Sequence, residues 1–192
     1  QEIIRRYYKG LVDYKQGIET KETVDKLTAI MQQAGLKNTM RKTVLPALEK
    51  EEKSGVPAAA IELPDGRVVT GKASKLMSAT SSAVLNSIKV MAGIEEDKLL
   101  ISPEILEPVL DMKINLLKSR SSMLKLDDVL TALYICAVHD DTAKRAVEQL
   151  KKLSGCDIHN TRMLYTGDAG TLRKLGMNST SEPAVPDKIN LK

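Results

Sequence analysis

The cysteines and histidines of this 192-residue chain fall into two pairs with the spacing of metal ligands. Cys136 stands three positions before His139, and Cys156 stands three positions before His159. Two such pairs could together hold a structural zinc ion. Cys136 lies within a continuous apolar helix pattern, however, and side chains three apart on a strand point to opposite faces. We therefore expect no metal and no cofactor, while zinc binding by these four residues stays an open alternative.

The segment Gly66 to Lys72, with sequence GRVVTGK, matches most of a phosphate-binding loop. Ala73 stands where that loop needs a serine or threonine for magnesium, and the β-branched interior is typical of a strand. His139 to Asp141 likewise resembles part of a metal phosphohydrolase site, but Asp140 is better explained as a helix cap. Since no complete catalytic motif is present, the catalytic residues stay unknown, and whether the chain is an enzyme stays undecided.

Hydroxyl, lysine and carboxylate side chains gather at the starts of two predicted helices. Two helix N-termini that face one sheet edge would offer backbone amides and a favourable dipole to an anion. The candidate ligand-binding residues are Lys72, Ser78, Ser81, Ser102, Glu104 and Glu107. The simpler interpretation, which we favour, is that the serines are ordinary helix caps.

Residues 1–55 carry apolar side chains at three- and four-residue spacing, which predicts three amphipathic helices. The first ends near Gly17, the second runs from an N-cap at Thr20 to Gly35, and the third from Thr43 to Lys53. Tyr7, Tyr8 and Tyr14 form a stripe on the first helix. The stripe raises the further possibility of a pure oligomerisation module.

From residue 56 strands and helices alternate. We predict a hairpin of 58–63 and 67–71 around the turn Pro64-Asp65-Gly66, a helix over 78–92, and a short strand over 98–101. A helix over 103–118 follows, distorted near Pro108, and then a helix capped by Asp127 whose segment VLTALYICAV should be the most buried. The remaining predicted elements are a helix capped by Asp140, a strand over 156–165, a helix over 168–175 and a strand over 178–183.

This alternation predicts an α/β fold, in which an N-terminal helical unit is followed by a layered domain with a mixed sheet flanked by helices. The expected divisions are a helical subdomain at 1–55, an α/β subdomain at 56–183 and a flexible tail at 184–192. A core of this size needs no disulfide, and the absence of Phe and Trp means that Leu, Ile, Val, Met and Ala must fill it.

The composition also bears on partners. A net charge of +4 without a concentrated basic stripe, and few aromatic side chains for stacking, argue against nucleic acid. There is no apolar run of membrane-spanning length and no signal peptide, and two cysteines suit a reducing compartment. We expect a cytoplasmic protein without a membrane partner, and the missing initiator Met suggests a piece of something longer.

Four segments resemble the C-terminal part of an uncharacterised bacterial family, domain of unknown function eighteen-forty-six. They are QEIIRRYYKGLVD, PAAAIELPDGRVVTGKAS, ISPEILEPV and LRKLGMNSTSEP. Members of that family are much longer, so the resemblance implies that an N-terminal half is missing here and would be a partner of this chain. It also implies a subdomain with cytidine-deaminase-like architecture.

A deaminase holds zinc through a His or Cys at the start of one helix and P-C-x-x-C at the start of another. The corresponding segments here are SSAVLNS and Pro103-Glu104-Ile105-Leu106-Glu107, which carry none of those ligands. The resemblance thus implies the scaffold without its zinc. We expect a C-terminal domain of unknown function, not catalytic on its own, that contributes to a ligand site or a homo-oligomer interface. The alternative is part of an enzyme that acts on a nucleotide or other phosphorylated metabolite at the helix N-termini near Ser78 and Ser102.

Overall fold

A computed structural model describes residues 1–119 and 121–186, and within them a mixed α/β fold. The helices are α1 (Glu2–Lys15), α2 (Lys21–Gln33), α3 (Val44–Ser54), α4 (Ala79–Met91), α5 (Pro103–Asp111), α6 (Leu126–Cys136), α7 (Asp141–Val147) and α8 (Thr166–Lys174). The strands are β1 (Ala58–Glu62), β2 (Val68–Lys72), β3 (Asp157–Asn160) and β4 (Asn178–Ser181). Short 3-10 helices cover Asn38–Met40 and Leu150–Leu153, and a π-helical turn covers Met112–Leu116. The predicted fold class is confirmed.

The four strands form one mixed sheet in the order β2-β1-β3-β4. Strand β1 is antiparallel to both β2 and β3, whereas β3 and β4 are parallel. The predicted hairpin is confirmed, and Asp65 accepts a hydrogen bond from the Arg67 amide in its turn. Strands β2, β3 and β4 therefore run in one direction, and their carboxyl ends meet at the same edge of the sheet.

Helices cover both faces of the sheet. Helix α4 packs on β1 and β2 from one side, and α3 packs on the same two strands from the other. Ala58, Ala59 and Ala60 of β1 are buried, so both helical layers approach a strand with small side chains. The core beyond them is aliphatic, which is how the chain folds without Phe or Trp.

The N-terminal helices are tied to the sheet by polar contacts. The Arg41 guanidinium forms an ion pair with Asp157 of β3 at 2.8 Å, and Arg5 of α1 donates to the Asn178 side chain of β4. The buried Tyr8 ring lies 4.9 Å from the His159 ring, centroid to centroid. Residues 1–55 thus share an interface with the α/β part. The division at residue 55 and an oligomer built on the tyrosine stripe stay predictions.

Two strand predictions need correction. Residues 98–101 form no strand, since Lys98 and Leu99 lie exposed in the connection between α4 and α5. The third strand is also shorter than expected and ends at Asn160, where the chain turns towards α8. Both stretches are apolar enough to resemble strands, but neither has a neighbouring strand at that position to pair with.

Helix α6 is not the most buried helix, contrary to the prediction. Tyr134 and Ile135 of this helix expose 55% and 65% of their surface, and Val138, just after it, exposes 71%. A helix that is apolar all round can be central or can carry an uncovered apolar face, and periodicity does not separate the two cases. The central position belongs to α4, in which nine residues are buried.

Helix starts follow the predicted caps at Thr20, Ser78 and Asp140, whose side chains accept backbone hydrogen bonds. Asp127 is not a cap, because α6 begins one residue earlier, at Leu126. The distortion expected near Pro108 takes the form of the π-helical turn that follows α5. In the expected tail, the Ala184 carbonyl accepts from the Met163 amide, and residues 187–192 lie outside the described part. No helix in the described ranges is both long and apolar enough to cross a membrane.

Candidate functional site

A small cavity of about 40 Å³ lies at the sheet edge where β2 and β3 end. Its wall includes the start of α4, the segment after β3 and the start of α8. Its polar lining comprises Ser78, Thr80, Asn160, Arg162, Tyr165 and Asp168. Ligands of open α/β sheets bind outside the carboxyl ends of the strands, so this is the expected position for a binding site.

Asn160, the last residue of β3, lines this cavity and has an unpaired amide nitrogen. Its Oδ1 accepts a hydrogen bond of 2.8 Å from the Thr80 hydroxyl, which fixes the orientation of the side chain. Its Nδ2 is buried and has no partner among the described residues. A buried amide nitrogen without an acceptor costs about 1–3 kcal/mol, so its placement needs an explanation.

Asp168, on the first turn of α8, lines the same cavity and has an unpaired carboxylate oxygen. Its Oδ1 accepts a hydrogen bond of 2.7 Å from the Leu126 amide, the first of α6. Its Oδ2 is buried and has no partner in the described part of the chain. Burial raises the pKa of the Asp168 carboxyl, whereas the Leu126 amide, the Ser78 hydroxyl and the Lys125 charge act to lower it.

The starts of α4 and α6 lie side by side at this edge. Met77 and Leu124 form a parallel β-bridge, and the Ser78 amide donates to the Leu124 carbonyl at 3.1 Å. The sequence comparison with deaminases instead paired the start of α4 with that of α5. In this fold the Met77–Leu124 bridge places the start of α6 beside that of α4, and α5 lies in the chain between them.

Lys125 lies behind the cavity wall, between α6 and α8. Its ammonium group is 2.9 Å from the centroid of the Tyr165 ring, a cation–π contact, and Nζ has no hydrogen-bond acceptor within the described ranges. Burial lowers the pKa of Lys125 to about 8, and the nearby Asp168 opposes that shift. The protein therefore holds this amine in an environment that disfavours its charge.

This environment predicts that the protein gains stability as the pH rises. The unfolded chain, with a lysine pKa near 10.4, binds more protons than the folded chain between about pH 8 and pH 10.4. The contribution of Lys125 to the free energy of unfolding, measured by urea denaturation, should be about 2 kcal/mol more favourable at pH 9.5 than at pH 7. In Lys125→Met that increment should vanish, and equal pH dependence in the two proteins would contradict the assignment.

The structure separates the six candidate residues named from the sequence. Ser78 and Ser81 are hydrogen-bonded to each other at 2.9 Å, and Ser78 lines the cavity. Lys72 is exposed and lines a different groove with Lys89 and Lys98. Ser102, Glu104 and Glu107 are on α5 or at its start, where both glutamates are exposed.

Asn160 and Asp168 were missed by the sequence reasoning. Asn160 ends a predicted strand and Asp168 begins a predicted helix, and a polar residue at either position is ordinary. Binding residues in open α/β sheets commonly follow the carboxyl ends of strands. That rule could have pointed to both residues, because Asn160 ends β3 and Asp168 lies in the helix that follows β3. Their convergence depends on the fold.

The two cysteine–histidine pairs do not come together. Cys136 and His139 are at the end of α6, while Cys156 and His159 belong to the start and interior of β3. His159 is buried, with Nδ1 2.9 Å from the Thr180 hydroxyl and Nε2 3.2 Å from Glu182. Among the described residues no three His, Cys, Asp or Glu side chains are grouped to hold a metal ion.

The loop-like segment 66–72 is the end of a turn followed by strand β2. Val68 to Lys72 pair with β1 along their whole length, and alternate amides of this outer strand bond to β1. Gly71 has a packing role, because a Cβ built there would lie 2.2 Å from the backbone nitrogen of Ala83 in α4. The glycine lets α4 lie directly against β2.

Comparison with known proteins gives consistent matches. The family model described as "Domain of unknown function DUF1846, C-terminal" matches residues 39–190. A UPF0371 protein of Corynebacterium aurimucosum is 42% identical over 192 residues, which are 100% of this chain and 38% of that protein. A UPF0371 protein of Clostridioides difficile is 44% identical over 196 residues, covering 98% of this chain and 39% of the relative. The chain thus spans about two-fifths of the length of these relatives.

Proposed function

The chain belongs to the family of uncharacterised proteins described as domain of unknown function DUF1846, C-terminal, and on that premise we propose that it contributes a binding site for a small neutral molecule. The site is the cavity at the carboxyl ends of β2 and β3. The ligand class is a compound with a hydrogen-bond donor next to an acceptor, such as a carboxamide or a cyclic amide.

One observation carries the proposal: two residues that line the same cavity, Asn160 and Asp168, hold a buried donor and a buried acceptor without partners in the described structure. Nδ2 of Asn160 would donate to a ligand carbonyl, and Oδ2 of Asp168 would accept from a ligand N–H. Each group costs free energy while unpaired, and a ligand that satisfies both recovers it. Met123, Met163 and Leu164 supply an apolar wall for the rest of the ligand.

The charge of the site favours a neutral ligand over a phosphorylated one. The α6 N-terminus, which would attract an anion, already has the Asp168 carboxylate bound to its first amide. The α4 N-terminus is capped by the Ser78 hydroxyl. A phosphate in this cavity would lie against a carboxylate, so the phosphorylated-metabolite alternative fits less well.

The site is proposed as a contribution to a larger protein, not as a complete active centre. The relatives are about two and a half times longer than the matched segment, so their remaining chain is available to close or complete the cavity. The deaminase-like architecture, a cytoplasmic location and homo-oligomer formation likewise stay proposals.

Ligand-observed NMR with two matched pairs of compounds tests the proposal. Nicotinamide and uracil present a neutral amide edge, while nicotinate and orotate are their carboxylate counterparts. We expect the neutral member of each pair to bind more tightly. Asp168→Asn keeps an oxygen for the Leu126 amide and replaces the unpaired acceptor with a donor, so it should weaken uracil binding by about tenfold.

Asp127→Asn is the control, because Asp127 is an exposed carboxylate in the first turn of α6. Its affinity for uracil should match that of the unmodified protein. Preferred binding of the carboxylate compounds, or equal effects of the two substitutions, would overturn the proposal. Inorganic phosphate that displaces uracil at low millimolar concentration would favour the phosphorylated-metabolite alternative.

A further inference from the structure

A second, larger concavity lies along the outermost strand of the sheet. It is an open groove of about 620 Å³ between α1 and α8, with β4 along its floor. Its floor includes Asn178, Ser179, Thr180 and Ser181, the whole of β4. A groove that follows a strand along its whole length has the shape of an extended segment of polypeptide.

The floor of this groove is a strand edge. Within residues 1–119 and 121–186, strand β4 is outermost in the sheet and pairs only with β3. The Asn178 amide donates to Cys156 and the Glu182 amide to Asn160, both on the inner side. Because alternate residues of a strand direct their amides to opposite sides, Ser179 and Ser181 turn theirs towards the groove.

The walls of the groove are positively charged. Helix α1 contributes Arg5, Arg6 and Lys9, and α8 contributes Arg173, against the single acidic lining residue Glu2. Arg6 pairs with Glu2 within α1, and this exposed ion pair is weak and easily exchanged. Lys9 is itself exposed and pairs with Asp13, whose side chain is 15% exposed. Arg173 is exposed and forms no ion pair within the part of the chain that the structure describes.

We propose that this groove binds an extended, acidic segment of another protein, which adds to β4 as a fifth strand. Backbone groups of the segment pair with Ser179 and Ser181, and its carboxylates meet the basic side chains of α1 and α8. A second copy of this chain is the poorer occupant. Symmetric pairing of two β4 edges would bring the arginines of both copies together, and like charges in an interface oppose association.

Fluorescence anisotropy with three labelled seven-residue peptides tests this inference. One alternates Glu and Val, the second alternates Lys and Val, and the third is the Glu/Val peptide with alternate amides N-methylated so that it cannot extend a sheet. We expect the first to bind at least tenfold more tightly than either of the others. Equal binding of the methylated peptide would reduce the interaction to charge alone and overturn the proposal.

Variants of the groove locate the binding. Lys9→Glu combined with Arg173→Glu should weaken the Glu/Val peptide at least tenfold, whereas Lys144→Glu on α7, which contacts α4 and α6, should change it less than twofold. Ser179→Pro removes one outward amide but none that pairs with β3, so it should weaken binding without unfolding.

Circular dichroism and the thermal unfolding midpoint establish that each variant is folded. Sedimentation at the same protein concentrations tests whether the groove is occupied by a second copy of this chain. A dimer that Ser179→Pro dissociates would identify a second copy on this edge, and would overturn the assignment to an acidic segment of another protein. These outcomes are independent of the cavity bounded by Asn160 and Asp168.

Discussion

Replacing Arg41 with methionine is expected to lower the free energy of unfolding by about 4 kcal/mol, measured by urea denaturation. Arg41 is completely buried and connects the start of the α3 region to two strands. It forms the 2.8 Å ion pair with Asp157 of β3 and also donates to the Asn178 carbonyl of β4. Methionine keeps most of the side-chain volume but leaves both acceptors without a donor.

The large effect comes from what remains after the substitution. The Asp157 side chain is only 18% exposed, so its charge would be largely desolvated and unpaired. Asp157→Leu in the same protein should recover part of the loss, because replacing both partners of a buried ion pair costs less than removing one. A double variant that is less stable than Arg41→Met would contradict this account.

Lys42→Met is the matched control, one residue along the chain. Lys42 pairs with Glu62, but its side chain is 64% exposed. Exposed ion pairs contribute about 0.2–1 kcal/mol, so the control should remain within that range. If Arg41→Met and Lys42→Met had equal effects, the Arg41 contact would be only a surface interaction.

Replacing Gly71 with alanine is the second substitution with a large expected effect. The new Cβ would lie 2.2 Å from the Ala83 nitrogen and 2.6 Å from the Ala83 Cα. These are backbone atoms of the most buried helix, so no flexible side chain can move aside. We expect a loss of about 3 kcal/mol or more in urea unfolding, at the upper end for an overpacked core.

Gly170→Ala tests whether the Gly71 effect is steric. Gly170 lies within α8, and a Cβ there meets nothing within 4 Å. Alanine at an unobstructed helical position should stabilise the protein by about 0.5–1 kcal/mol. The same added methyl group should therefore have opposite effects at the two glycines. Destabilisation by both would point to a general effect of the added side chain.

Displacement of α4 has a functional consequence as well. Ser78 and Thr80 occupy the first turns of that helix, and Thr80 orients Asn160 in the cavity. A Gly71→Ala protein that is still folded should thus bind uracil more weakly, even though residue 71 is outside the cavity. Residue 71 would act through the position of α4 and not by contact with the ligand.

Local patterns predicted the helices, the hairpin and most caps because these depend on neighbouring residues. Thr20, Ser78 and Asp140 bond to amides two or three positions away, which sequence spacing can reveal. The strand expected at 98–101 failed because a strand also needs a partner. The alternation of elements was likewise enough to predict a mixed sheet flanked by helices.

The candidate site was predicted only in part, for a related reason. Ser78 and Ser81 were found because caps and hydroxyl clusters are local features. Asn160 and Asp168 meet at the cavity through the sheet register and the packing of α8, neither of which spacing encodes. The pairing of α4 with α6 was hidden by the intervening segment 98–123, whose own helix offered a more conspicuous N-terminus.

The position of Tyr8 gives the protein an internal optical marker. With no tryptophan and five tyrosines, the near-ultraviolet absorbance arises almost entirely from phenol rings. Burial, reinforced by Glu182, raises the pKa of the Tyr8 phenol above its ordinary value near 10. This one chromophore resists alkaline ionisation for as long as α1 stays on the sheet, so the absorbance of tyrosinate reports separation of the N-terminal helix from the strands.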